Sequence, residues 1–291
     1  ISINALNQME EQRTPTQVMW DVARAYKGRK SREEIMAFYE ALEDKDAVST
    51  DSGETIIHIA AKFADPEAIE YLLTNGAKAS AKNNYQETAL HALARGDNSS
   101  CVPRPAEDIS KCAKLLLDAR VSALMRDDGA GGNLCYHAAL KGNACLPFVY
   151  AMIENKVKLD MLDKEGGNLL HVLVCYPAKS ARHSLQYSNN DEEKKQAALD
   201  EREECFKLAQ ALIEYGLDPE AKDQSQKSPA EYAVEYELNK LAVLLNGEYD
   251  TSDPALEDRV TAGGKNLHQA AKAGDLAAVE ALIRLGADVN E

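Results

Sequence analysis

The chain alternates short apolar stripes of helical spacing with polar, glycine-punctuated turns, and the alternation is periodic. Thr55-Ile-Ile-His58-Ile-Ala-Ala61 opens one stripe, and weaker copies begin at Thr88, Asn133, Asn168, Ser228 and Lys265. Start-to-start distances are 33, 45, 35, 60 and 37 residues. A base period near 33, broken by insertions, predicts an array of stacked units, none of which buries its apolar face alone.

Residues 53–87 show the unit most clearly. Gly53-Glu-Thr55 is turn chemistry leading into a helix, with Thr55 placed to cap the first amides. Ile57, Ala60 and Ala61 then fall on one helical face. Asp65-Pro66 opens a second helix, whose stripe is Ile69, Leu72 and Leu73. Asn75-Gly76 ends it, and the polar stretch from Lys78 to Glu87 returns to the next start.

Upstream, Thr14-Pro-Thr-Gln17 has the spacing of a capping box, with Val18, Val22 and Ala25 along one face. Ile35, Phe38, Tyr39 and Leu42 line a second helix. The expected organisation is a flexible stretch at 1–13, a divergent helical pair at 14–52 acting as a cap, and a repeat array over 53–291. Two spacings exceed the period, which places insertions at about 96–107 and 176–202. Pro103 and Pro105 mark the first as an irregular loop. In the second, Pro177 to His183 reads as a loop, and Asp191 to Glu204 as a charged N-terminal extension of the following helix. The array stops at Asn290-Glu291 in the middle of a turn, so the natural protein is expected to continue past 291.

These features together resemble the ankyrin repeat family. The last unit matches the family pattern best, with Leu267-His-Gln-Ala-Ala-Lys-Ala-Gly-Asp-Leu276, Val279-Glu-Ala-Leu-Ile283 and Gly286-Ala-Asp-Val-Asn290. The resemblance implies an all-α ankyrin-repeat solenoid of helix-turn-helix units joined by β-hairpin-like turns, with the repeat-start residues Thr55, His58, Thr88, His91, His171 and His268 structural. It further implies a non-catalytic scaffold that binds a protein partner through its concave face and turn tips. The matching positions are Lys62, Phe63, Asn84, Tyr85, Asp127, Asp128, His137, Lys141, Lys164, Glu165, Tyr232 and Tyr236. Departures are also visible. Arg120 and Lys156 stand where the family has the helix-ending glycine, and Tyr136 and Glu231 where it has histidine, so those repeats are expected to be the less stable ones.

Charge narrows the partner. A net charge of −15 argues against nucleic acid, whose binding rests on Lys and Arg meeting phosphates, and favours a protein with a basic surface. No run approaches the roughly 18 apolar residues that span a bilayer. The six cysteines form no CxxC pair, which fits reduced thiols and a cytoplasmic monomer. The alternative is a targeting module of a larger enzyme or secreted effector, acting in a host cytosol, with the catalytic domain beyond 291.

Chemistry inside the array is not expected. Repeat-start histidines about 10 Å apart, the distance between packed helices, cannot share a zinc ion whose bonds are about 2 Å. Cys175 follows His171 by one helical turn, but no third orienting group accompanies the pair. The clusters Gly129-Ala-Gly-Gly132, Gly166-Gly167 and Gly263-Gly264 lack phosphate-loop spacing and read as turns. Asn98-Ser-Ser100 matches a glycosylation acceptor, irrelevant in a cytosolic protein. The expectation is therefore no catalytic residue, no metal and no cofactor.

Overall fold

The computed structural model describes residues 14–97, 102–122, 139–140, 145–188 and 191–288, and all regular structure among them is helical. Two compact units divide near residue 158. In the first, α1 (Pro15–Lys27) and α2 (Arg32–Ala41) pack as a pair. Thr14 and Gln17 form the reciprocal capping bonds at 3.3 and 2.9 Å, and Ser31 and Glu34 cap α2 in the same way. Repeat-start helices α3 (Ile56–Lys62) and α5 (Ala89–Arg95) pack on each other, as do their partners α4 (Pro66–Thr74) and α6 (Ala106–Asp118). Helix α7 (Leu146–Glu154) continues that second row on α6.

A buried polar cluster ties α1 and α2 to the first repeat. The Tyr26 hydroxyl and the Arg32 guanidinium both reach the Asp65 carboxylate, Tyr39 bonds Tyr26 at 2.9 Å, and Asp65 caps α4 through Ala68 at 2.9 Å. Both tyrosine hydroxyls and the carboxylate are engaged, and of the Arg32 nitrogens Nε and Nη1 find acceptors while the buried Nη2 has none. Tyr26 also stacks on Phe63, their ring centroids 4.3 Å apart.

Second helices end in the left-handed conformation even without glycine: φ is 62° at Arg120 and 56° at Lys156, against 88° at Gly76. Each non-glycine costs about 1 kcal/mol relative to Gly there.

In the second unit, α8 (Leu169–Leu173) runs through a π-turn (Val174–Ala178) into α9 (Lys179–Gln186), and α10 (Glu192–Glu214) returns along it. The loop expected over 177–183 is therefore helix. The wide π-turn accommodates Pro177, which lacks an amide and clashes in an ordinary turn. Buried Ala181 then holds α9 against α10. The insertion lengthens both helices of its repeat. Next come α11 (Pro229–Glu235) and α12 (Asn239–Leu245). An extra helix not anticipated, α13 (Leu256–Ala262), packs on α12 and on α15 (Leu276–Arg284), the partner of α14 (Leu267–Ala273).

Candidate functional site

His58 and His171 are held by the same pair of bonds, and His91 shares the first of them. The His58 Nδ1 accepts from the Thr55 amide at 3.2 Å, which leaves Nε2–H to donate to the Glu87 carbonyl, 3.1 Å away. A carbonyl only accepts, so the bond fixes the tautomer. His171 repeats this, taking the Asn168 amide at 3.1 Å and meeting the Lys227 carbonyl at 3.0 Å. At His91, the Thr88 amide reaches Nδ1 at 3.3 Å. His58 is fully buried, and burial pushes its imidazole below the ordinary value, against the pull of the Glu87 carbonyl. With both His171 nitrogens engaged by backbone, it is no base for Cys175, whose thiol burial pushes up.

His268 differs. It lies exposed at the second position of α14, and the capping pair is Asn266 with Gln269, at 2.8 and 2.9 Å. The reason is chemical. Lys265 has no acceptor and cannot cap a helix, so the helix starts one residue later on Asn266 and the histidine turns outward. Lys265 instead bonds Asp275 at 2.7 Å.

The turn tips also share a geometry. In each, an amide returns to the carbonyl four residues on: Asn83 to Glu87 at 3.0 Å, Asp163 to Gly167 at 2.8 Å and Asp223 to Lys227 at 3.0 Å. The residue two before the helix cap is left-handed in all of them, at Gln86, Gly166 and Gln226. Neighbouring tips bond to one another, Asn84 to Ser52 at 2.9 Å and Gln224 to Glu165 at 3.0 Å.

The anticipated contact residues separate on this frame. Tyr85 stands out from its tip, 60% exposed, whereas Asn84 is engaged with the adjacent tip. Lys164 and Glu165 are exposed, and their carbonyls hold Gln224. Lys62 is paired with Glu54 at 2.6 Å. Phe63 is not a surface residue: it is 5% exposed because Tyr26 of α1 covers it, a contact from outside its own repeat. Asp127, Asp128, His137 and Lys141 lie outside the described residues.

Tyr232 and Tyr236 gather the richest chemistry. One turn apart, on α11 and at the residue that ends it, their rings stack at 6.0 Å, and both remain partly exposed. Lys179 of α9 sits 4.0 Å from the Tyr236 centroid, and Lys227 of the preceding turn 5.0 Å from that of Tyr232. Tyr232 donates to Asp223 at 2.7 Å, which pushes its hydroxyl up to about 12; burial and the Cys175 thiol push Tyr236 to about 12. Both tyrosines are thus neutral donors at ordinary pH. Lys179 escaped sequence reasoning because it lay in the expected loop. Among the described residues, no group of His, Cys, Asp and Glu is placed to hold a metal ion, and no helix is long and apolar enough to cross a membrane.

Packed helix pairs, with a histidine, a carboxylate or an amide closing the described repeat-start turns and hydrogen-bonded tips between neighbours, define an all-α repeat protein. The chain carries ankyrin repeats: the model for "Ankyrin repeats (3 copies)" matches residues 26–103, and that for "Ankyrin repeat" matches 267–291. A comparison with curated proteins finds no match. Among solved structures, the chain resembles an ankyrin repeat domain from Acinetobacter baumannii at 14% identity and TM-score 0.54, covering 79% of this chain and 97% of that one. It also resembles a chain from the complex of the Bd0816 predatory endopeptidase of Bdellovibrio bacteriovorus with immunity protein Bd3460. There the identity is 16% and the TM-score 0.50, with 78% of this chain and 97% of that one covered. At these identities the likeness is one of fold.

Proposed function

We propose that this chain is a non-catalytic recognition module that binds a protein partner through the repeat-start surface of its second unit, centred on Tyr232 and Tyr236. Ankyrin repeats are typical protein–protein interaction modules. The observation that carries the location is the half-exposed tyrosine pair flanked by Lys179 and Lys227. Aromatic rings held rigid by neighbours lose little entropy on binding, and such residues dominate interface energetics. The exposed tip at Lys164 and Glu165, whose carbonyls hold Gln224, supplies a polar rim. The chain's acidic balance favours a partner with basic character.

The test is quantitative affinity for a protein captured on the immobilised chain, measured for the wild type and for the double variant Tyr232→Ala/Tyr236→Ala. A loss of about thirtyfold or more is expected, the size of a hot-spot truncation. Affinity unchanged by the double variant, yet lost on Tyr85→Ala, moves the interface to the tips of the first unit.

A further inference from the structure

A second recognition feature lies on the helical extension rather than on the tyrosine face. The π-turn, α10 and the start of α12 enclose a crevice of about 240 Å³. Its floor is apolar: Ala178, Leu199, Phe206, Leu238 and Leu241. Leu199 is 38% exposed although it belongs to an otherwise charged stretch of α10. The volume falls below the roughly 300–1,000 Å³ of small-molecule sites and suits one anchoring side chain.

Charges at the mouth are unevenly matched. Lys240 bonds Glu203 at 2.8 Å and sits 4.0 Å over the Phe206 ring, so these two charges cancel. Arg182 is tied to Glu237. Arg202, half-buried at the mouth, has no carboxylate within ion-pair range among the described residues. Burial and the neighbouring Arg182 both disfavour its charge. Glu201 follows a different line of α10, since consecutive helical residues project about 100° apart, and it does not line the crevice. A guanidinium set beside an apolar hole, repelled by its neighbour and lacking an acid, is complementary to an incoming carboxylate. Its planar fork takes one with two hydrogen bonds.

We infer that this crevice is an anchor site for a partner segment carrying a large aliphatic or aromatic side chain with an aspartate or glutamate beside it. The inference rests on the protein-recognition reading and gives the partner a local acidic-hydrophobic element, distinct from whatever meets the tyrosines. Carboxylate binding relieves the repulsion between Arg202 and Arg182, so the site gains more from an acid than an exposed, already paired arginine would.

The probe is a library of short random peptides displayed on phage, panned against the full chain and against the Arg202→Glu variant, with Tyr232→Ala/Tyr236→Ala as a parallel target. Arg202→Glu faces Arg182 with an opposite charge, so its thermal midpoint is expected to hold or rise, which separates binding loss from unfolding. The site predicts enrichment on the wild type of peptides pairing Leu, Ile, Phe or Met with an adjacent acid. Their affinity should fall by about tenfold or more on Arg202→Glu and hold on the tyrosine variant. Peptides that keep their affinity on Arg202→Glu but lose it on the tyrosine variant overturn the crevice while sparing the recognition reading. An absence of enriched peptides on any target overturns the crevice and counts against that reading as well.

Discussion

Helices α3 and α11 occupy equivalent places in their repeats and spend their side chains differently. In α3 the six residues from Ile56 to Ala61 are buried, and His58 joins the turn before the helix to the next repeat through Glu87. In α11 the equivalent of His58 is Glu231, which bonds the Ser228 amide at 2.6 Å and Lys222 of the preceding tip at the surface, in place of a buried bond forward to the tip that follows. Only Pro229, Ala230 and Ala233 are buried there, and Tyr232 and Tyr236 turn to solvent. Where the repeat pattern is kept, the helix serves cohesion. Where it is abandoned, the freed face carries partly exposed aromatic rings with cationic groups beside them.

The largest contrast should appear in stability. His58→Ala removes one of the two bonds to the Glu87 carbonyl and leaves the Thr55 amide without its His58 acceptor in a dry interior, at a cost of about 2–3 kcal/mol by denaturant midpoint. Glu231→Ala should cost about 0.5–1 kcal/mol, the worth of a half-exposed capping bond. Equal losses would erase the distinction between the two helices. The Tyr232→Ala/Tyr236→Ala double variant should lower stability by less than about 1.5 kcal/mol while abolishing most partner affinity. A fall in stability beyond that would assign the pair to packing.

Smaller effects refine the picture within the first unit. Lys156→Gly should raise stability by up to about 1 kcal/mol, because φ there is 56° and glycine adopts it without strain. His58 also makes α3 sensitive to acid in a higher pH range than α11, where Lys222 and the Ser228 amide hold the Glu231 carboxyl below its ordinary value. The folded value of His58 is depressed, so the unfolded chain binds the proton more readily. The stability it confers is complete above the unfolded value of about 6.5 and is lost as pH falls below it. Melting curves between pH 7.5 and 5.5 should show a steeper decline for the wild type than for His58→Gln; parallel slopes would remove His58 as the cause.

The repeat frame was legible because turn glycines, caps and apolar stripes are local signals. Gly76, Asp65-Pro66 and Thr14 with Gln17 all mark boundaries that the helices respect. Phe63 could not be placed, since its cover comes from Tyr26, thirty-seven residues earlier in the chain. The register of α14 was misjudged because the motif aligns on His268, whereas the helix begins where a side chain can accept an amide, at Asn266. Pro177 suggested a loop, yet a π-turn absorbs it and carries Lys179 to Tyr236. Asp253-Pro254 ahead of Leu256 and Val260 was a readable helix start for α13, obscured by counting only the repeat period. At the tyrosine face, the two rings were named from their positions, but the lysines that flank them depend on tertiary approach.

Amide hydrogen exchange of the chain, free and bound to a captured partner, tests recognition through α11 most directly. The account predicts slowed exchange on binding at 229–236 and 174–186, with 56–62 already protected in the free chain and unchanged. Protection confined to 15–41, with 229–236 exchanging as in the free chain, would contradict it.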